Sequence, residues 1–410
     1  MVIISNGYGK FHLSVLASEL AKRDGLSRFI TGSYPVGRFG SLVSRLPAKK
    51  TGRLQRLQQR EESLPERAIL AFWKEESLYH VSRALRKSSR LHTLAQKLQA
   101  QSYSRYGHRA GRFIAKNAKK GVYHYRAGYG GASVTEAKKA GMVALCDHSI
   151  AHPKVLEYMM GHMGRFPEGA LPEPTNPVER LILADIEAAD HVLVNSDFVK
   201  ATMLSQGWSD DQVTVVYLGV DEQFLERIPK REAAPESARL LFAGSYSKRK
   251  GAPELVEAMS RIPELPWTFE IASHIDEASG EGVREFLRDP RVTALGFLSR
   301  GDLAKKMAAN DIFVFPSLVE GSARVIFEAL AAGCYVITTG NSGSIVVDRV
   351  HGAVVPVGDV SALETAIRWA ITNLDQVREI GKANRELVLS CYRQWHYADQ
   401  VQELYRHLSA

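Results

Sequence analysis

Phe313–Thr339 reads FVFPSLVEGSARVIFEALAAGCYVITT. A short apolar run ends at Pro316–Ser317, a loop carries Glu320 and Gly321, a helical pattern holds Glu328, and Gly333 precedes a second apolar run. Strand, loop, helix and strand at this spacing form a βαβ unit of a parallel sheet. Glu320 and Glu328 are separated by seven residues. One falls in the loop and the other roughly one turn inside the helix, so both can face a ligand at the helix N-terminus. That end offers free N–H groups and a positive dipole, a seat for phosphate. A carboxylate accepts hydrogen bonds from a pair of sugar hydroxyls. The plainer alternative makes Glu320 a loop residue and Glu328 part of a solvated helix face.

Outward from this stretch the same alternation recurs. Strands are expected at Val2–Ser5, Gly121–Tyr125, Met142–Cys146 and His191–Asn195, and again at Arg239–Ala243, Thr268–Ala272, Val292–Leu295, Ile312–Phe315, Tyr335–Thr338 and Ala353–Val355. Helices are expected at Ala252–Ser260, Arg300–Ala309, Arg324–Ala332 and Val360–Thr372. Residues 45–120 read instead as long basic helices with few strand signals. Ile228–Ser237 (IPKREAAPES) is charged, holds two prolines and lacks periodicity, which marks a linker. At 410 residues the chain accommodates two domains. Two doubly wound α/β domains present the carboxyl ends of their sheets to a shared crevice, where ligands bind.

Composition narrows the classes. The 45% hydrophobic content fits folded cores. No stretch approaches the roughly 20 apolar residues of a membrane span, and the opening MVIISNGYG reads as a strand and glycine turn rather than a signal peptide. Cys146, Cys334 and Cys391 are isolated, as expected of small buried residues in a reducing cytoplasm. The net charge of +8 hides a split: residues 1–150 hold 27 Lys+Arg and 9 Asp+Glu, the remainder 26 and 36. A basic half beside an acidic one points to a polyanion or an anionic membrane surface. No recognition helix, RNA platform or zinc motif accompanies the charge, so no nucleic-acid partner is expected. The basic excess lies largely in residues 38–120, where Arg53, Arg56, Arg60, Arg83, Arg86, Lys87 and Arg90 recur at helical spacing near Ile69, Leu70, Phe72 and Trp73. Such a face is either solvated or a peripheral membrane surface.

Phe313–Thr339 resembles the signature of the retaining glycosyltransferase family 4, in which two glutamates flank seven residues after a Pro-Ser strand end. Ala189–Lys200 (ADHVLVNSDFVK), Val213–Phe224 (VTVVYLGVDEQF), Leu241–Ala258 (LFAGSYSKRKGAPELVEA) and Leu295–Ser299 (LGFLS) resemble further family elements in the family's order. The likeness is continuous from about Ala189 to Ile367 and weaker but colinear before it. It implies an α/β protein of the GT-B type, two Rossmann-like domains facing across a crevice. The expected division is 1–227 acceptor-binding, 228–237 linker, 238–388 donor-binding, and 389–410 a helix returning to the first domain. That helix's Tyr392, Trp395, Tyr397 and Tyr405 are then structural anchors.

Roles follow from the resemblance residue by residue. Glu328 would hold the donor ribose, and Glu320, with the amides after Gly321 (Ser322, Ala323), the donor hexose. Lys250 would neutralise the diphosphate, where a charge acts most in the transition state. Phe297 and Leu298 would line the base pocket. The family clamp carries an arginine after its first glycine; here Ser245 follows Gly244, and Arg324 is the expected substitute, with Lys248 and Arg249 as alternatives. Asn6–Phe11 (NGYGKF) is a Gly-x-Gly turn before a helix, so Gly7, Gly9 and Lys10 would form a loop opposite the diphosphate. His124, Arg126, Asp147 and His148 follow strands at positions where the family often places histidine, with His12 a weaker candidate. No nucleophile is identified; the usual account is front-face attack with the departing diphosphate helping to take the acceptor proton. No Asp-x-Asp pair follows a strand, so neither metal nor other cofactor is expected beyond a UDP- or GDP-linked sugar.

The expected protein is a cytoplasmic, metal-independent hexosyltransferase with a peripheral place on the inner membrane face. It would act on a glycan or lipid-linked acceptor in cell-surface polysaccharide or glycolipid assembly. The alternatives are a soluble-acceptor or storage-glycan synthase, and a catalytically silent nucleotide-sugar-binding subunit.

Overall fold

A computed structural model describes residues 1–36, 64–86, 88–231, 236–275 and 281–409. The first half builds a seven-stranded parallel sheet from β1 (Val2–Gly7), β2 (Arg28–Thr31), β3 (Ile69–Ala71), β4 (Gly121–Arg126), β5 (Met142–His148), β6 (His191–Val194) and β7 (Val213–Val215), ordered β3-β2-β1-β4-β5-β6-β7. The second half builds a six-stranded parallel sheet from β8 (Ala238–Ala243), β9 (Trp267–Ala272), β10 (Val292–Ala294), β11 (Ile312–Phe315), β12 (Tyr335–Thr339) and β13 (Gly352–Val355), ordered β10-β9-β8-β11-β12-β13. Both are doubly wound: the order reverses between β1 and β4 and between β8 and β11, the places where such sheets bind ligands.

Every residue of β11 and β12 is buried, as a parallel sheet covered on both faces requires. The intervening helix Arg324–Ala331 buries Ile326 through Ala331. The helices Ala252–Ser260, Arg300–Ala309 and Val360–Thr372 have the bounds expected from the sequence. β2 and β3 were not anticipated. They are short, and β3 interrupts the stretch read as basic helices, with Trp73–Leu85 and His92–Asn117 following it.

β3 also corrects the apolar face expected there. Phe72 is buried under the Arg109 guanidinium, 4.6 Å from its ring centroid. Ile69 and Leu70 pack on the cores of opposite sheet faces, as strand alternation dictates. Only Trp73 of the four is exposed. Arg53, Arg56, Arg60 and Lys87 lie outside the described residues.

The chain passes between halves twice. In Ile228–Ser237, Ile228 joins the second core and Arg231 donates to the Ala332 carbonyl at 3.3 Å. Helix Leu374–Cys391 ends at Tyr392, where Val220 bridges Arg393 and Gly219 (φ 67°) lies so close that a Cβ would sit 2.5 Å from the Tyr392 carbonyl oxygen. The terminal helix Gln394–Ser409 then packs Tyr397, Ala398, Val401, Leu404 and Tyr405 against Leu13, Leu16, Ala17 and Leu20 of helix His12–Ala21. Trp395 is exposed and Tyr392 half-buried, so those two aromatics anchor less than Tyr397 and Tyr405. Cys146 and Cys334 are buried, whereas Cys391 is exposed.

Candidate functional site

The loop after β11 and the loop after β8 meet at the second switch point. Gly251 (φ 72°) permits the encounter, because a Cβ there would lie 2.1 Å from the Pro316 carbonyl oxygen. The turn Lys248–Lys250 is thereby pressed against Pro316–Ser317. The Glu320 carboxylate accepts from Ser317 Oγ at 3.0 Å, from Arg249 Nη1 at 2.7 Å and from Lys250 Nζ. Burial pushes the Lys250 ammonium below its ordinary pKa, although Glu320 opposes the shift.

Helix Arg324–Ala331 starts at this loop. Among the described residues the amides of Ser322, Arg324 and Val325 donate to nothing, while that of Ala323 is taken by the Ser342 carbonyl at 3.0 Å. The expectation that Ala323 offers its amide to a ligand is corrected accordingly. Ser322 Oγ is buried without a partner. Four residues after Arg324, Glu328 is 7% exposed. Its Oε1 accepts from Arg300 Nη2 at 3.1 Å, and the same guanidinium pairs with Asp221. Arg324, half exposed, lies 3.5 Å from Asp221. Burial raises the Glu328 pKa, against the pull of Arg300 and Arg324. Gly244 (φ 135°) and Ser245, which follow β8, are exposed. Phe297 is 84% exposed and parallel to the His274 ring at 6.0 Å, whereas Leu298 packs on the second core.

The first half contributes the ends of β1, β4 and β5. Gly7 (φ 71°) closes over Tyr129, whose ring would lie 2.6 Å from a Cβ, and Gly9 follows at φ 78°. Lys10 is exposed. Arg126 stacks its guanidinium over Phe11 at 3.9 Å. Asp147 is buried, and its Oδ2 meets His12 Nε2 at 2.7 Å and His124 Nε2 at 3.5 Å. Burial opposes ionisation of Asp147, but the two imidazoles outweigh it and hold the carboxyl below its ordinary pKa. His124 was expected to face the crevice; it is wholly buried, with Nδ1 2.6 Å from Tyr405 Oη. His148 is also buried, pairs with the Ala151 carbonyl at 3.2 Å, and is pushed down to about 4 by burial. It shapes the turn after β5. His12 is the partly exposed imidazole of the group.

The halves meet beside Glu320. Ser196 Oγ donates to the Gly321 carbonyl at 2.5 Å, and Asn341 Nδ2 to the Gly164 carbonyl at 2.7 Å. A Cβ on Gly321 would sit 1.8 Å from the Ser149 carbonyl oxygen. Ala151, Val155 and Met159 pack on Leu318 and Val319. The loop bearing Glu320 therefore abuts the loop that follows Asp147 and His148.

Sequence reasoning passed over Arg300, Asp221 and Ser317. Each stood inside a quoted motif or next to one: Arg300 directly follows Leu295–Ser299, Asp221 belongs to the Gly-Val-Asp element, and Ser317 closes the strand.

Residues 237–373 match the family described as glycosyl transferases group 1. The chain is 26% identical over 264 residues to the alpha-maltose-1-phosphate synthase of Mycolicibacterium smegmatis, covering 55% of this chain and 65% of that one. It is 23% identical over 263 residues to the lipopolysaccharide core biosynthesis glycosyltransferase LpsE of Rhizobium meliloti, covering 59% and 73%. Against three curated relatives the match spans 44% to 65% of the relative's length. The structure superposes on Anabaena HepE, solved with UDP and glucose, with a TM-score of 0.61 at 16% identity, covering 98% of this chain and 99% of that one. The architecture is the GT-B fold, two Rossmann-like parallel-sheet domains.

Proposed function

We propose that the protein is a retaining glycosyltransferase that moves a hexose from a nucleoside-diphosphate sugar to a glycan or lipid-linked acceptor. The observation that carries this reading is the pair of charged arrays around one helix N-terminus: Glu320 with Arg249 and Lys250, and Glu328 with Arg300, flanking the undonated amides of Ser322, Arg324 and Val325. Glu328 accepts the ribose hydroxyls and Glu320 those of the hexose. Lys250, with Arg249 or Arg324, offsets charge on the departing diphosphate, and Phe297 gives the base an aromatic face. The bond from the anomeric carbon to the diphosphate breaks as the acceptor oxygen bonds to that carbon, and the diphosphate helps to take the acceptor proton. The UDP-bound neighbour supports a nucleotide-sugar donor. A thermal-shift panel of UDP, GDP, ADP and their sugars tests the reading, since a ligand of the native state raises its apparent stability by mass action. A shift with one base is expected; none with any nucleotide overturns it.

Peripheral membrane attachment rests on a separate observation. Trp73, Val81, Leu91 and Leu94 are exposed, and Lys74 lies over the Trp73 ring at 5.5 Å. Arg83 and Arg90 are on the same stretch, whereas Arg86 is held by Gln99 at 2.6 Å. Each cation near an anionic leaflet contributes on the order of 1 kcal/mol, screened within about 8 Å at physiological salt. Sedimentation with anionic but not neutral liposomes, fading with salt, is expected. Equal partitioning to both, or to neither, refutes the attachment and favours a soluble acceptor.

A further inference from the structure

Arg126–Gly131 (RAGYGG) leaves β4 as a glycine-rich turn and opens directly into helix Ala132–Lys139. Turns of this composition between a strand and a helix are where dinucleotide-binding folds seat a pyrophosphate on backbone N–H groups. Here the anion belongs to the chain. Asp185, in helix Pro177–Glu187, sends its carboxylate into the turn. Its Oδ2 accepts from the Gly128 and Gly130 amides, each at 2.7 Å, and its Oδ1 from the Gly131 amide at 2.6 Å. Gly128 (φ 93°) and Gly131 (φ 48°) take left-handed backbone, which lets three amides converge on one carboxylate. The fit is close: a Cβ on Gly130 would lie 2.8 Å from Asp185 Oδ1.

Asp185 is 4% exposed and pairs with no cation among the described residues. Burial raises its pKa to about 6, although the three amides pull the other way. At neutral pH the group is ionised, and ionising it costs the folded state stability. What the charge secures is the turn. Tyr129 stands in the middle of it, with its amide donating to the Arg126 carbonyl at 3.1 Å. The buried Tyr129 ring lies against Gly7, where a Cβ would sit 2.6 Å away, and edge-on to Tyr8 at 5.1 Å. The Arg126 guanidinium lies over the same ring at 5.4 Å. The Gly7–Gly9 turn at the end of β1 and Arg126 at the end of β4 thus rest on one tyrosine whose backbone Asp185 holds, and both border the switch point of the first sheet.

We propose that Asp185 is a positioning residue: its carboxylate fills the anion cradle after β4 in place of a ligand, and through Tyr129 it fixes the Gly7–Gly9 turn and Arg126 on the first-half wall of the crevice. The cradle is thereby closed to phosphate, and nucleotide is left to the second half. The effect on turnover rests on the proposed transferase reading; the effect on the turn does not. A neutral side chain cannot substitute. Asparagine would set its own N–H2 against one of the three backbone donors, and alanine would leave all three open.

The test uses the full chain at neutral pH. Hydrogen exchange by mass spectrometry is followed over residues 6–11, 127–133 and 321–328 in the wild type, Asp185→Asn and Asp185→Ala, with and without formate, the carboxylate that the alanine variant lacks. Both variants should exchange faster at 127–133 and at 6–11, and at the wild-type rate at 321–328. Formate should restore Asp185→Ala with a saturable dependence, where chloride at equal ionic strength does not. Release of nucleoside diphosphate from UDP-glucose or GDP-mannose should fall about tenfold to a hundredfold in Asp185→Ala, the scale for groups displaced by about 1 Å, and recover with formate. Calorimetry should give Kd for UDP and GDP within about twofold of the wild type. Wild-type exchange at 6–11 while 127–133 opens overturns the inference, and formate that restores exchange without turnover overturns its part in the reaction. Should Asp185→Ala not fold, Tyr129→Leu carries the test, since it leaves the carboxylate and its three amides in place: faster exchange at 6–11 with retained nucleotide affinity is expected, and wild-type exchange there overturns the inference. A wild type that binds neither nucleotide removes the transferase reading and leaves the exchange result to decide the role of Asp185.

Discussion

Replacing Glu328 separates binding from folding. The carboxylate is 7% exposed and touches one guanidinium, that of Arg300, at 3.1 Å. A hydrogen bond to a charged group contributes about 1.5–3 kcal/mol, so Glu328→Ala should weaken UDP or GDP binding between roughly tenfold and 150-fold. The fold should not suffer in proportion. Burial raises the folded pKa of Glu328 above its unfolded value. A carboxyl shifted this way releases its proton more readily when unfolded, so the charge costs stability as pH rises through the unfolded pKa. At pH 7 Glu328→Gln removes that cost while Arg300 retains Asp221. Its melting temperature should equal or exceed the wild type's, although its nucleotide affinity falls. Isothermal titration with UDP and GDP, paired with thermal melts at pH 7, measures both. Unchanged affinity in a folded variant removes Glu328 from the site, and parallel loss of affinity and stability would make it a structural residue.

Lys250→Ala should lower turnover more than it raises the donor Michaelis constant, and Arg324→Ala should do the same if it serves the diphosphate. Wild-type kinetics in Arg324→Ala would pass that role to Arg249, already 2.7 Å from Glu320. Gly321→Ala places a methyl 1.8 Å from the Ser149 carbonyl oxygen. Overpacking of this type costs about 1–3 kcal/mol; a lowered melting temperature and a larger radius of gyration by X-ray scattering are expected, and an unchanged radius would refute a closed contact there. Burial holds His148 near 4 and His152 near 3. Both folded values lie below the unfolded one, so stability is full above about pH 6.5 and falls as pH drops from there toward 4 and then 3. Each contributes a slope on the order of 1 kcal/mol per pH unit. Urea titrations between pH 4 and 7 should show the slope shrink in His148→Gln and His152→Gln; an unaltered slope would contradict neutral burial.

The parallel two-sheet architecture was legible because its signals are local. Apolar runs bounded by Gly251, Pro316 or Gly333 define strands and turns over a few residues, and helical periodicity bounded Ala252–Ser260 and Arg300–Ala309 closely. The weak elements escaped for the converse reason. β2 and β3 span four and three residues, too few for a period to show, and their strand character comes from pairing, β2 with β1 and β3 with β2. Phe72 and Leu70 looked like interfacial side chains because composition cannot tell which face of a strand is covered.

The sequence by itself determined where the chemistry-bearing residues sit relative to strand ends: Glu320 in the loop after β11, Glu328 within the next helix, Gly7 at the end of β1 and Gly9 just after it, Asp147 at the close of β5. Only the tertiary structure decided which of them meet. Glu320 with Lys250, Ser196 with Gly321, His12 with Asp147 and Tyr405 with His124 are 70, 125, 135 and 281 residues apart. Backbone propensity and hydrophobic period act over one or two turns of chain, so they place a residue on its own element. Hydrogen bonds and burial act over a few ångströms of space, so they depend on how two sheets, a crossing at Tyr392 and a returning helix bring those elements together. Burial then assigned the roles, leaving His124 inside and His12 with part of its ring at the surface.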